Sequence, residues 1–518
     1  MGDTAQLIAL NEMPYARARY ASGKGCLPGT RVTLLKEIYD ILNDSDEDAP
    51  RVCLLTGVAG SGKSSVAHSV ARLYDGQKRL ASSYCFLSSD IVRRNPQNLF
   101  STIARDLCDH DPHYKSALLK TVEMNRALLM SSSPLEQLEQ FIVEPSMGLD
   151  SVGSQLVVVI DALDESGNRD DRKEILDTLS KQISDNALPK NVRFLITART
   201  ESDILTKLAS LPHLVHKEMG KIPPEVVRGD IERFIQHSID EDSKLMLSSH
   251  DGEWCYKLVN RSEYLFQWAA TACKFVQETG AIPHERFDLL LRGGDGVSME
   301  PLYSLYQAIL GQLFQSDDTR RSFRRVMAII LVLREPLPLA SLSSLFPSNK
   351  DMDVQRTIQL LGSLLGGVVD ENEPIRLLHT SFRDFLLDGT RSSAFHVDIV
   401  PYHLPLGRAL LACMRDKLQF NICGLKDSRL RNAVVPDLDG RVKEAIPPYL
   451  SYACRYWMAH IQYVTCTPEL LQETTSFFQD FFSHWLEVIS LLSPFSSPCS
   501  ISYALEACTT LHNWAKVS

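Results

Sequence analysis

Between Arg51 and Arg199 the chain alternates short, mainly apolar runs with longer stretches in which apolar residues recur at helical spacing. Val52–Thr56 predicts a buried strand, 57–62 a glycine loop and 63–73 a helix. A second strand is expected at 83–87. Helical periodicity then fills about 99–143, interrupted at 131–134, and a Gly/Ser/Pro-rich stretch at 145–155 closes the segment. Two further apolar runs, 156–160 and 192–197, flank the helical pattern 171–183. Strands with no polar face, separated by helices, need cover on both sides and predict a parallel sheet between helical layers.

Past Pro223 and Pro224 strands become scarce and amphipathic helices take over, 226–239 and 264–276 among them. The glycine-rich stretch 293–298 marks an expected boundary, and Pro336, Pro338, Pro347 and the acidic run 370–373 punctuate a third region. Helices continue from about 396 to the end, with a loop-like stretch near 424–446. No internal period of roughly 20–50 residues is present, which argues against a solenoid or propeller.

Composition narrows the partners. The 518 residues are 44% hydrophobic and 23% charged, ordinary for a globular chain of three or four domains. A net charge of -10 and a pI near 5.8 argue against nucleic acid, whose backbone demands clustered positive surface. The densest basic cluster, Arg320, Arg321, Arg324 and Arg325, has helical spacing and reads as a solvated face. Twelve cysteines show no metal-ligand spacing, so a reducing compartment is expected. The apolar stretch 7–10 is too short for a signal-peptide core, and the run 326–333 is far below the roughly 18 residues of a transmembrane helix. Gln6 stands where a myristoylation signal wants Ser or Thr. A soluble, cytoplasmic protein is expected.

The chemistry sits where the first strand meets its helix. Gly57-Val58-Ala59-Gly60-Ser61-Gly62-Lys63-Ser64 fits the phosphate-binding pattern G-x-x-x-x-G-K-[ST] in its required strand-loop-helix context. Gly57, Gly60 and Gly62 let backbone N–H groups turn inward around phosphates, and the helix N-terminus adds its dipole. Lys63 is expected to reach the β- and γ-phosphates, Ser64 to ligate Mg²⁺, and Ser65 to touch the α-phosphate. Leu156-Val157-Val158-Val159-Ile160-Asp161 ends in a carboxylate and continues Ala162-Leu163-Asp164-Glu165. Alone, an apolar strand ending in Asp is common. With the loop upstream, Asp161 reads as the residue that holds Mg²⁺, and Glu165 or Asp164 as the acid that orients an attacking water. Arg199 ends the strand that follows; its guanidinium could sense a γ-phosphate, although a surface arginine is the plainer reading of that residue by itself.

These motifs carry a resemblance. Asp164-Glu165 after Asp161, the Thr197-Ala198-Arg199 strand end, and Asp230-Ile231 with Phe234-Ile235 resemble the NACHT branch of the STAND NTPases. Cys26-Leu27-Pro28-Gly29-Thr30-Arg31, Leu265-Phe266-Gln267-Trp268 and His379-Thr380-Ser381-Phe382-Arg383-Asp384 are similar to its fungal, nephrocystin-like N-terminal subgroup. The resemblance covers about 26–395. It implies an α/β P-loop NTPase, a parallel sheet covered by helices, followed by mostly α helical and winged-helix domains. The boundaries it implies are an N-terminal extension at 1–25, a nucleotide-binding domain at 26–220, a helical domain at 221–298, a winged-helix domain at 299–395 and a C-terminal helical region at 396–518. It places Thr30 and Arg31 near an adenine and His379 against a bound ADP. Read without the family, a histidine beside Leu377, Leu378 and Phe382 is a hydrogen-bonded core residue. Where related proteins have Gly-Asn-Pro, this chain has Ser262-Glu263-Tyr264. No effector domain or C-terminal repeat array of the family is visible in the 518 residues, as expected of a short form or a truncated gene model.

The function expected from these readings is an ATP/ADP-operated signalling switch with slow hydrolysis, Mg²⁺ as cofactor, self-association on ATP binding, and an effector or sensor partner the residues do not name. A nucleotide-stabilised scaffold without turnover and a P-loop small-molecule kinase are the rival classes.

Overall fold

The computed structural model describes residues 10–492 apart from 11–12, 47, 132, 148–154, 241–250, 279–282, 293–299, 347–352, 427–429, 431, 433–434 and 465–466. The expected boundary at 293–298, Pro347 and the apolar stretch at 7–9 lie outside the described residues. The chain divides into two compact units, Met1–Leu305 and Tyr306–Ser518.

In the first unit, α1 (Val32–Asn43) precedes β1 (Val52–Thr56), α2 (Lys63–Gly76) and β2 (Leu80–Cys85). Two helices, α3 (Leu99–Leu107) and α4 (Pro112–Met124), lead toward β3 (Leu156–Asp161). Then come α5 (Arg169–Ser184), β4 (Val192–Ala198), α6 (Ser202–Leu208) and β5 (Leu214–Glu218). All five strands are parallel, in the order β2-β3-β4-β1-β5. Alternation along the strands explains their apolar character. Leu54, Val158, Ile160, Phe194 and Ile196 face a core shared with Phe100, Ile103, Leu118, Ile175 and Leu179. Cys53, Leu55, Val157, Val159 and Leu195 face the opposite core, built with Ile38, Val66, Val70 and Tyr74. Each residue is thus buried on one side or the other, and no polar period can appear.

The second strand begins at Leu80, three residues before its expected start, and runs through Ser82 and Ser83, both buried. β5 was not foreseen: Leu214-Val215-His216-Lys217-Glu218 is a half-buried edge strand whose polar residues hide it. The N-terminal segment is part of this unit's core. Met13, Ala16 and Ala18 are buried there at 1–2% exposure, and the Cys85 N–H donates to Ala18 O at 2.8 Å, so the segment lies against the free side of edge strand β2.

The first unit continues as helices α7 (Pro224–Asp240), α8 (Asp251–Arg261), α9 (Phe266–Gln277) and α10 (Pro283–Arg292), where Trp254 stacks on Phe287 at 4.0 Å. α9 starts two residues later than its apolar pattern suggests, because Glu263 and Tyr264 adopt left-handed backbone angles, φ 44° and 67°. In the second unit, α11 (Asp317–Val332), α12 (Leu339–Leu345) and α13 (Val354–Gln359) precede an antiparallel pair, β6 (Leu365–Gly366) with β7 (Arg376–Leu377), and α14 (Thr380–Leu387). The unit then runs through α15 (His403–Lys417), α16 (Leu438–Ala445), α17 (Pro448–Ile461) and α18 (Pro468–Leu492). The loop expected at 424–446 thus contains the helix α16. Among the described residues no helix is long and apolar enough to cross a membrane.

Candidate functional site

The glycine loop joins β1 to α2 at the carboxyl end of the sheet, the edge where doubly wound folds place their ligands. Two of its glycines take left-handed backbone angles. Gly62 caps α2 at φ 96°, and Gly60 sits at φ 78° where a Cβ would meet Gln267 Cβ at 2.8 Å. No side chain caps α2, so its first N–H groups are not closed off from within. Lys63 folds back over the loop, donating from Nζ to Gly57 O at 2.8 Å and Val58 O at 3.0 Å. Burial pulls its pKa down, while Asp164, Asp161 and Glu165 pull it up and Arg199 opposes them. Lys63 thus shares one electrostatic field with all four of those residues. Ser64 is exposed on the first turn of α2 and Ser65 is half-buried beside it.

Asp161, 4% exposed, closes β3 between two neighbours. Thr197 on β4 donates from Oγ1 to Asp161 Oδ1 at 2.5 Å and accepts the Ala162 N–H at 3.0 Å. Thr197 was not singled out as a site residue, although its place in the strand end ahead of Arg199 was the available signal. Asp164 is bound by Arg199, whose backbone N–H donates to Oδ1 at 2.9 Å and whose Nε lies 3.2 Å from Oδ2. Glu165 accepts the Ser88 N–H at Oε2, 2.9 Å. Burial, reinforced by Asp164, pushes its carboxyl up to about 7, against the Ser88 bond and Arg199. A carboxyl group near neutrality can both take and return a proton at physiological pH.

Thr30 and Arg31 are drawn into the structure itself. Thr30 donates from Oγ1 to Leu27 O at 2.7 Å, closing a turn. Arg31, at φ 55° and 5% exposed, donates its backbone N–H to Asp230 Oδ2 at 3.0 Å and its Nη2 to Ser61 O at 3.0 Å. Its guanidinium lies 4.8 Å from the Phe266 ring, and Nε and Nη1 are buried without a hydrogen-bond partner. It therefore joins the loop to α7 and α9. A second brace runs from the α9 N-terminus, where Gln267 N–H donates to Gly60 O at 3.1 Å. The residues 262–264 that depart from the family pattern form the turn leading into that brace, closed by Leu265 N–H on Ser262 O at 2.8 Å. A groove of 680 Å³ beside the turn at 26–30 is lined by the later part of α2 and by no residue of the loop.

His379 belongs to the second unit. It is the N-cap of α14, accepting at Nδ1 from Ser381 N–H at 3.1 Å, with Ser381 Oγ at 2.6 Å and Tyr306 Oη a further 2.8 Å on. The structure thus brings together Gly57, Gly60, Gly62, Lys63, Ser64, Ser65, Asp161, Asp164, Glu165 and Arg199 at one sheet edge, and gives Arg31 and His379 structural bonds of their own.

No curated protein matches the chain. A family model described as Nephrocystin 3, N-terminal, matches residues 29–199, which span α1, the glycine loop, the acidic end of β3 and the strand ending before Arg199. Residues 29–199 are thus similar to the nephrocystin 3 N-terminal family, a NACHT-like family, and the parallel five-stranded sheet between helices is consistent with a P-loop fold.

Proposed function

We propose that the protein is an ATP/ADP-binding switch of the NACHT type with slow hydrolysis, in which the bound nucleotide controls domain opening and self-association. The observation that supports it is the meeting, at the carboxyl end of one parallel sheet, of the glycine loop and uncapped helix N-terminus after β1 with Asp161 at the end of β3 and the Arg199–Asp164 pair after β4. In this reading the loop amides at Gly57, Gly60 and Gly62 and the first turn at Ser64 and Ser65 cradle the phosphates. Lys63 exchanges its two loop carbonyls for β- and γ-phosphate oxygens. Ser64 and Asp161, the latter fixed by Thr197, hold Mg²⁺, which when bound neutralises the phosphate chain. Glu165 orients the attacking water and accepts its proton, with Asp164 the alternative.

Arg199 gives the switch its bias. Contact of its guanidinium with a γ-phosphate would compete with the Asp164 pair, so triphosphate and diphosphate forms hold the end of β4 differently. The braces at Gly60–Gln267 and Ser61–Arg31 carry such a change into α7 and α9. Adenine as the base, a role for His379 in favouring the ADP form, and an effector partner in innate-immunity or cell-death-like signalling are carried over from the resemblance to NACHT proteins, and an intracellular location from the scattered cysteines. The test is the nucleotide recovered from protein purified without added ligand, with calorimetry on wild type and Lys63→Ala. Retained ADP that is lost in the variant supports the switch. A wild type that binds neither ATP-Mg²⁺ nor ADP overturns it.

A further inference from the structure

His68 lies on α2 five residues past Lys63, 8% exposed, and one of its ring nitrogens, Cys85 Sγ and an Asp161 carboxylate oxygen all fall within 4.8 Å of one another. Two chemistries fit such a trio. One is a transition-metal site with three protein ligands. The other is a histidine N–H directed at the carboxylate. The far side of the ring decides between them. Nδ1 accepts the Ala21 N–H at 3.1 Å, so its lone pair is used and the ring proton must sit on Nε2. A metal-bound imidazole carries its proton on the other nitrogen and donates it outward. Here that would set one N–H against another. The hydrogen-bond polarity therefore makes His68 a donor and leaves no lone pair for a metal.

Ala21 belongs to the segment that lines edge strand β2. Tyr20 N–H donates to Ser83 Oγ at 3.0 Å, Ala16 N–H to Thr102 Oγ1 at 3.0 Å, and Tyr20 Oη to Asp75 at 2.7 Å. Next along the chain, Cys26 N–H donates to Ser69 Oγ at 2.7 Å, one residue after His68. α2 thus carries the phosphate loop at its start and holds the N-terminal segment along its side.

We infer that His68 is a positioning residue that links the N-terminal segment to Asp161, with Ala21 fixing the ring and Nε2–H orienting the carboxylate, directly or through one water. Thr197 holds one oxygen of Asp161 and His68 steadies the carboxylate from the α2 side, so metal-nucleotide binding and the seating of residues 16–24 depend on each other. This rests on the proposed role of Asp161 in holding the metal.

Two near-isosteres separate the two ends of the ring. His68→Asn keeps an acceptor in the place of Nδ1 and deletes the donor. His68→Gln keeps an N–H in the place of Nε2 and deletes the acceptor. The probe is Mn²⁺ with a non-hydrolysable ATP analogue, read by electron paramagnetic resonance for affinity and by hydrogen exchange over 13–24 for seating. Wild type should exchange more slowly over 16–24 with the probe bound. His68→Asn should weaken Mn²⁺ about tenfold, the lower end for loss of a group supporting a metal ligand. His68→Gln should hold Mn²⁺ to within about twofold of wild type yet lose the exchange response of 16–24. A melting curve on each variant establishes that it is folded. Unchanged Mn²⁺ affinity in His68→Asn, or nucleotide binding by wild type with no response over 16–24, overturns the link alone. No nucleotide binding by wild type overturns the switch, and the link with it.

Discussion

Arg199 is bound to Asp164 twice, by its backbone N–H at 2.9 Å on Oδ1 and by its guanidinium Nε 3.2 Å from Oδ2. Asp164 has 7% and Arg199 25% side-chain exposure, so the pair is largely desolvated and neither charge is cheap to leave alone. Asp164→Ala should cost about 1–3 kcal/mol of stability, because it removes the carboxylate that meets both the Arg199 backbone N–H and its partly buried guanidinium. Arg199→Ala should cost less, since the backbone N–H still meets the carboxylate. Denaturant unfolding of both single variants and the double variant tests the pairing. Strict additivity would mean that the two groups do not interact, and would remove Arg199 as the bias of the switch.

Glu165 should make stability depend on pH. Its carboxyl titrates near 7 in the fold against roughly 4.3 in an unfolded chain, with burial as the main cause. Between those values the folded state binds the extra proton, so stability is full below about pH 4.3 and is lost as pH rises through 7. Two to three units correspond to about 3–4 kcal/mol, and roughly half of that is a safer expectation for a group coupled to Asp164. Glu165→Gln should flatten the loss between pH 5 and 8 in nucleotide-free protein and slow any phosphate release. A wild-type profile identical to that of Glu165→Gln would show that Glu165 titrates normally.

What could be read from the residues followed burial. β1, β3 and β4 are buried on both faces, so their runs are apolar apart from Arg193 and the strand-end residues and locate both the loop and Asp161. β5 and the start of β2 mix polar residues into a strand whose place is set by its neighbours, and no local period records that. The same limit hid the side of the site built from distant chain. Arg31 meets Ser61, Asp230 and Phe266 across up to 235 residues of sequence, and Ser88 reaches Glu165 across 77. Motif spacing names the residues at the loop and at the strand ends but not those that hold them.

Gly60 offers a sharper test of the loop brace. Alanine there faces both a left-handed φ of 78° and a 2.8 Å approach to Gln267 Cβ, whereas at Gly62 the space is open and only the φ of 96° resists. Gly62→Ala should therefore cost about 1–2 kcal/mol, from backbone strain alone. Gly60→Ala should cost more and also push α9 from the loop, which proteolysis across 262–267 would report. Equal losses for the two variants would mean that the contact with Gln267 carries little.

His379 separates a helix cap from a nucleotide contact. Its Nδ1 caps α14 by accepting Ser381 N–H, and Ser381 Oγ passes the network to Tyr306. Loss of such a cap costs typically about 1 kcal/mol, and asparagine, a strong capping residue, should restore it. A cap therefore predicts that His379→Leu lowers the melting temperature equally with and without nucleotide, and that His379→Asn recovers it. A contact that favours the ADP form predicts a different pattern, since the amide of asparagine is shorter and replaces only the Nδ1 side of the ring. ADP release would then be faster in both variants, and assembly with ATP would begin at lower protein concentration. Measuring ADP dissociation, melting temperature and ATP-dependent size on the same two preparations distinguishes them. Normal ADP release from a destabilised His379→Leu, with stability rescued in His379→Asn, would leave the histidine a cap and assign the closing of the switch to other residues.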